Sequence, residues 1–109
     1  MRVISKTKIE EYFSKLPKSE EALLRWYRLT RKAEWKSFAD VKDTHPAVDV
    51  YGTCHIFDIA GNHWRLIAKI HFPKLNEETG LWSQGRVYIR TIMTHAEYMQ
   101  NKWKRDCGA

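Results

Sequence analysis

His63, Arg65, Lys69 and His71 fall on one side of the stretch HWRLIAKIH, which alternates with a period of two and is interrupted on that side by Ile67. Trp64, Leu66, Ala68, Ile70 and Phe72 fall on the other side. Such alternation marks a half-buried strand, so one side faces a core and the other faces solvent or a ligand. A second segment, RVYIRTIM, puts Arg86, Tyr88, Arg90 and Ile92 on one side and Val87, Ile89 and Met93 on the other. Cations hold phosphate, and a tyrosine adds stacking or hydrogen bonding, which together make an RNA-binding surface. The bland alternative is a solvated face whose charges keep the sheet from aggregating. Cations that recur on one face of both segments favour binding.

His95 and Tyr98, in THAEY, are three residues apart and share a side if a helix begins there, with Thr94 as its cap. Cleavage of a phosphodiester needs a base for the nucleophile, an acid for the leaving oxygen, and cations for the strained phosphate. A histidine titrates near neutral pH and can fill either proton-transfer role. Taken alone, His95 reads more simply as a cap or packing residue; its neighbours Arg65, Arg90 and Tyr98 give it chemical weight. His63, His71 and His95 have no accompanying carboxylate cluster, which argues against a metal-dependent nuclease. No metal or other cofactor is expected.

These segments need elements to position them. Met1 to Ser5 reads as an edge strand. Lys6 to Leu16 spaces Ile9, Tyr12, Phe13 and Leu16 as a helix ended by Pro17. A second helix follows, capped by Ser19, with Glu20 and Glu21 early and Arg28, Arg31 and Lys32 late, as the helix dipole favours. Ser37 to Lys42 suits a short helical turn, and the segments around His45 and Tyr51 read as irregular connection. Gly61-Asn62 suits a two-residue type II′ hairpin turn. That turn sets Ala60 opposite His63, Ile59 opposite Trp64, Asp58 opposite Arg65 and Phe57 opposite Leu66, and turns His55 towards the core. Lys74 to Gly85 reads as a polar loop with one apolar pair, Leu81-Trp82. The expected architecture is α+β: a small antiparallel sheet with an N-terminal helical hairpin on one face and a short C-terminal helix.

A chain of 109 residues is expected to form a single domain, 1–109, able to bury roughly 65% of its unfolded surface. With 43% hydrophobic and 29% charged residues it is a globular rather than a disordered composition. The net charge of +6 points to a polyanionic partner. No apolar run is long enough for a membrane helix, and MRVISKTKIEEYF lacks the apolar core of a signal peptide. Cys54 and Cys107 make no metal or redox spacing, and the expectation is two reduced thiols in a cytoplasmic protein.

AGNHWRLIAKI followed by RVYIRTIMTHAEYMQNKWK resembles the HigB-type toxins of bacterial type II toxin–antitoxin systems, within the RelE-like superfamily. The resemblance rests on Gly61-Asn62 with Arg65, on Ile89-Arg90, and on Thr94-His95 with Tyr98. It implies a metal-independent mRNA endonuclease that acts on ribosome-bound messages through the ribose 2′-hydroxyl and is neutralised by a HigA-type helix-turn-helix antitoxin. Carried onto this sequence, Arg65 and Arg90 stabilise the phosphate, His95 is the general acid or base, and Tyr98 orients it or the substrate. His63, Lys69, His71, Arg86, Tyr88 and Lys102 would bind RNA. The segment from Phe72 to Arg86 is longer than the family's usual turn. Two readings compete: a non-catalytic RNA- or ribosome-binding module on the same face, and an interaction subunit whose basic groove takes an acidic partner segment. Ile67, amid the basic face, is expected to lie under a base or under another chain.

Overall fold

A computed structural model describes Met1 to Gly108. The chain runs β1 (Arg2–Ile4), α1 (Lys6–Lys15), a 3-10 turn (Pro17–Ser19), α2 (Glu20–Lys32) and α3 (Phe38–Thr44). It continues with β2 (Asp49–Tyr51), β3 (Cys54–Ile59), β4 (Trp64–His71), β5 (Leu75–Asn76), β6 (Leu81–Trp82) and β7 (Arg86–Thr94), and closes with α4 (His95–Met99) and a 3-10 segment (Lys102–Cys107). The architecture is α+β. Five strands form one sheet in the order β1-β7-β4-β3-β2, and β5 and β6 pair separately.

β2, β3, β4 and β7 pair antiparallel, while β1 lies parallel to β7, so the sheet is mixed. Helix α1 lies between β1 and the rest of the chain, which frees β1 to add at the edge in that sense. The β3–β4 register agrees with the turn-based expectation: Ile59 meets Trp64, Asp58 meets Arg65 and Phe57 meets Leu66. The His63 amide donates to the Ala60 carbonyl at 3.3 Å, and Gly61 has φ +65°, which glycine adopts without penalty. His55 is buried opposite Ala68.

Two readings of local structure change. Ser19 does not cap α2 through its side chain; its Oγ donates to the Leu16 carbonyl at 2.7 Å, because the 3-10 turn before α2 brings that carbonyl within reach. Asp49–Tyr51, expected to be irregular, is an edge strand on β3, and Leu81-Trp82 belongs to the small β5–β6 hairpin.

The helices cover one face of the sheet. Ile9, Leu23, Trp26, Trp35, Val41, Phe57, Leu66, Ala68, Val87 and Ile89 form the main core. A smaller core lies on the opposite face, where Ile56, Ile67 and Met93 pack with Trp103 and the two cysteines. Ile67 is therefore covered by this chain's own C-terminal segment, and not by a base or another chain as expected, because Trp103 and Cys107 fold back over that face. Cys54 and Cys107 are joined in a disulfide, with their Cα atoms 5.2 Å apart. This overturns the expectation of two reduced thiols: a separation of 53 residues hides the pairing in the sequence, and the packing of the last 3-10 segment against β3 creates it.

Candidate functional site

β4 and β7 carry the candidate residues, and a bulge decides which of them meet. Ile67 pairs with Thr91 while Ala68 pairs with Ile89, so Arg90 is the extra residue on β7. The bulge reverses the alternation after it. Ile92 thus joins the main core beside Leu66, and Met93 turns to the opposite face beside Arg65. Unbroken alternation had put Ile92 with the cations and Met93 with Val87.

The basic face divides in two. At the end towards Gly85, His71 pairs with Arg86 and Lys69 with Tyr88. The His71 and Tyr88 ring centres are 5.0 Å apart, and an Arg86 Nη1 donates to the Tyr88 hydroxyl at 3.4 Å. His71 and Arg86 are exposed. Here two cations, an imidazole and a phenol lie side by side, open to a phosphate chain and its bases.

At the hairpin end the groups are more constrained. Arg65 is only 7% exposed. Its Nε pairs with Asp58 at 3.1 Å, Nη2 donates to Asn62 Oδ1 at 3.0 Å, and Nη1 donates to the Trp64 carbonyl at 3.1 Å. The guanidinium lies over the Tyr98 ring, 5.0 Å from its centre. Tyr98 stacks on its other neighbour, Trp103, at 5.1 Å and 11° between planes. Burial with a carboxylate partner leaves Arg65 an anchor for the turn and for Tyr98.

Thr94 starts α4 with a reciprocal cap: its Oγ1 accepts from the Glu97 amide at 3.2 Å, and Glu97 Oε1 accepts from the Thr94 amide at 3.0 Å. The His95 amide donates to the His63 carbonyl at 3.1 Å, which ties α4 to the start of β4. His95 is exposed, and its ring centre lies 6.5 Å from that of Tyr98. The structure thus gathers Arg65, His95, Tyr98 and His63 at one end.

It does not bring Arg90 to them. Arg90 Nε and Nη2 bind Asp106 at 2.8 and 3.2 Å, and Lys69 Nζ lies 4.0 Å from the same carboxylate. The Arg90 hydrogen bond and charge hold the Asp106 carboxyl below the usual carboxylate range and raise Arg90. Lys102 is exposed in the segment after α4. Along β4, Arg65 and Lys69 are roughly 13 Å apart at about 3.3 Å per residue, with the covered Ile67 between them. A single phosphate cannot touch both ends; a strand of several nucleotides can.

Sequence reasoning missed Asp106, Lys8 and Trp103. Lys8 Nζ donates to the Arg90 carbonyl at 3.2 Å, from a helix far from β7 in sequence. Trp103 and Cys107, four apart in KWKRDC, were the available sign that this segment packs inward. A cavity of about 720 Å³ lies elsewhere, between β1, the end of α2 and Trp82. Among the described residues no three His, Cys, Asp or Glu side chains are grouped as a metal site requires, and no helix is long and apolar enough to cross a membrane.

Residues 19–101 match the model of the HigB toxin family, described as the RelE-like toxic component of a toxin–antitoxin system. The chain belongs to the HigB toxin family. It is also similar to the mRNA interferase HigB of Escherichia coli O6:H1 strain CFT073, with 29% identity over 101 residues that span 90% of this chain and 88% of the relative. The HigB match takes in both ends of the basic face but stops before Asp106. Membership of this family implies an antitoxin partner and an mRNA substrate.

Proposed function

We propose that this HigB-family chain is an mRNA interferase, a metal-independent endoribonuclease that cuts messages on the ribosome in the cytoplasm and is silenced by a HigA-type helix-turn-helix antitoxin. The observation that carries this reading is the open cluster of His71, Arg86, Tyr88 and Lys69 at one end of a sheet face whose other end holds Arg65 and Tyr98, with exposed His95 beside Tyr98, in a chain related over most of its length to an mRNA interferase.

In this reading the cationic end holds the RNA backbone and the hairpin end does the chemistry. The ribose 2′-oxygen gives up its proton and bonds to the adjacent phosphorus. The bond to the 5′-oxygen breaks, and that oxygen leaves with a proton. His95 serves one of the two proton transfers, and Tyr98 orients the reacting nucleotide. Arg65 acts through Tyr98, whose ring it supports, and through the field of its charge. Arg90 and Lys69 hold phosphate away from the bond that breaks.

The test is incubation of a message with the pure protein in a reconstituted translation system, with analysis of the new RNA ends. Fragments ending in a 2′,3′-cyclic phosphate, or the 3′-phosphate formed from it, are expected. RNA that is bound and never cut would favour the non-catalytic module. In cells, expression of the chain alone should arrest growth, and co-expression of its antitoxin should restore it.

A further inference from the structure

We propose that Arg90, Lys69 and Lys8 form a phosphate-binding subsite for RNA that the chain keeps closed with its own Asp106, carried on a C-terminal strap. The proposal rests on the RNA reading above and adds the regulation of that surface.

The carboxylate sits where a phosphate would. Arg90 grips it through two parallel N–H donors, the geometry by which arginine also holds phosphate. Lys69 approaches from β4, and Lys8 of α1 donates to the Arg90 backbone carbonyl, close enough for its charge to act on Asp106. Two cations thus pair with the acid and a third adds its field.

The strap is built to hold Asp106 there. The next residue, Cys107, is buried and bonded to Cys54 of β3. Its carbonyl accepts from the amide and hydroxyl of Thr53 at 2.8 and 3.0 Å. Trp103 is buried over the same face. These anchors keep the carboxylate at high effective concentration near Arg90. The latch itself is light, because Arg90 and Asp106 are both nearly half exposed, at 46% and 45%. An exposed pair of this kind is worth no more than about fivefold in an equilibrium, so a polyanion can displace it. The family match ends at residue 101, before the strap.

The experiment compares wild type with Asp106→Asn. Binding of a non-cleavable 2′-O-methyl RNA is measured by fluorescence anisotropy at low salt, and pyrophosphate is titrated while the Arg90 Nε–H signal is followed by NMR. Asp106→Asn should bind the RNA about two- to fivefold more tightly, and the gain should vanish when Arg90 and Lys69 are both replaced by Ala. Cys107→Ser, which frees the strap, should shift affinity in the same direction. Equal RNA affinity for wild type and Asp106→Asn overturns the proposal, as does a gain that survives without Arg90 and Lys69. If neither protein binds RNA but pyrophosphate moves the Arg90 signal at lower concentration in Asp106→Asn, the latched anion site stands and the RNA reading falls. An equal response to pyrophosphate in both proteins removes the latch as well.

Discussion

The Arg65 guanidinium carbon lies 5.0 Å from the centre of the Tyr98 ring, so a buried cation on β4 supports an aromatic side chain on α4. A cation over an aromatic face is worth about 0.5–2 kcal/mol, more as water is excluded.

Arg65→Ala should therefore cost stability as well as activity. It removes a cation that Asp58, Asn62 and the Trp64 carbonyl all use. Hydrogen bonds to charged groups contribute about 1.5–3 kcal/mol, and a loss of about 2 kcal/mol is expected in urea unfolding. An unchanged unfolding midpoint would return Arg65 to the role of a free phosphate ligand.

Thr94→Ala tests whether the helix start positions His95. Loss of the cap should cost about 1 kcal/mol. Cleavage should fall while RNA binding at the Arg86 end is retained. Glu97→Gln preserves a capping acceptor, and it should stay close to wild type in both measurements.

His95→Gln should reduce cleavage by about 10²–10⁴-fold, change its pH profile, and leave the circular dichroism spectrum and melting temperature as they were, because the ring is exposed. Full activity in this variant would move the proton transfer to another group.

The order of helices and strands was readable because each rests on local signals: the spacing of Ile9, Tyr12 and Phe13, the stop at Pro17, and the turn at Gly61-Asn62 that fixed the pairing of Asp58 with Arg65. The two faces of β4 were equally plain. The site was legible only in part, because what reshapes it is not local. A one-residue bulge at Arg90 leaves no mark on hydrophobic periodicity until the strand is paired. The disulfide and the Arg90–Asp106 pair join residues 53 and 16 positions apart, brought together by packing on Ile67. Arg65 read as a surface cation because its side alternates with apolar residues; its burial comes from Asp58, the Gly61-Asn62 turn and the Tyr98 ring of α4 that close around it.

Replacing Lys69 and Arg86 together with Ala should weaken RNA binding and leave folding intact, since Arg86 is exposed and Lys69 is only partly buried. Removing one phosphate-binding cation should make the dependence of log K on log salt shallower by about 0.7, so the pair should reduce the slope by about 1.4. Affinity and slope both unchanged would remove the basic face from the binding surface.

Acid should destabilise the fold through His45, whose burial lowers its pKa from 6.5 to about 4. The ring packs among Trp26, Trp35 and Phe57, with its Nε2 3.0 Å from Thr30 Oγ1. The folded state thus favours neutral His45, while the unfolded chain takes up a proton as pH falls below about 6.5. Stability is complete above that pH, declines from about 6.5 towards 4 as the unfolded chain gains the proton, and changes no further from this group below it. Allowing for partial solvent exposure of the ring, the loss should be on the order of 2 kcal/mol. His55, also lowered by burial, acts with the same sign. Urea midpoints at pH 7 and pH 4.5 measure the effect, and in His45→Leu the difference between the two should shrink whatever the absolute stability of the variant. A pH dependence as steep in His45→Leu as in wild type would assign acid sensitivity to other groups.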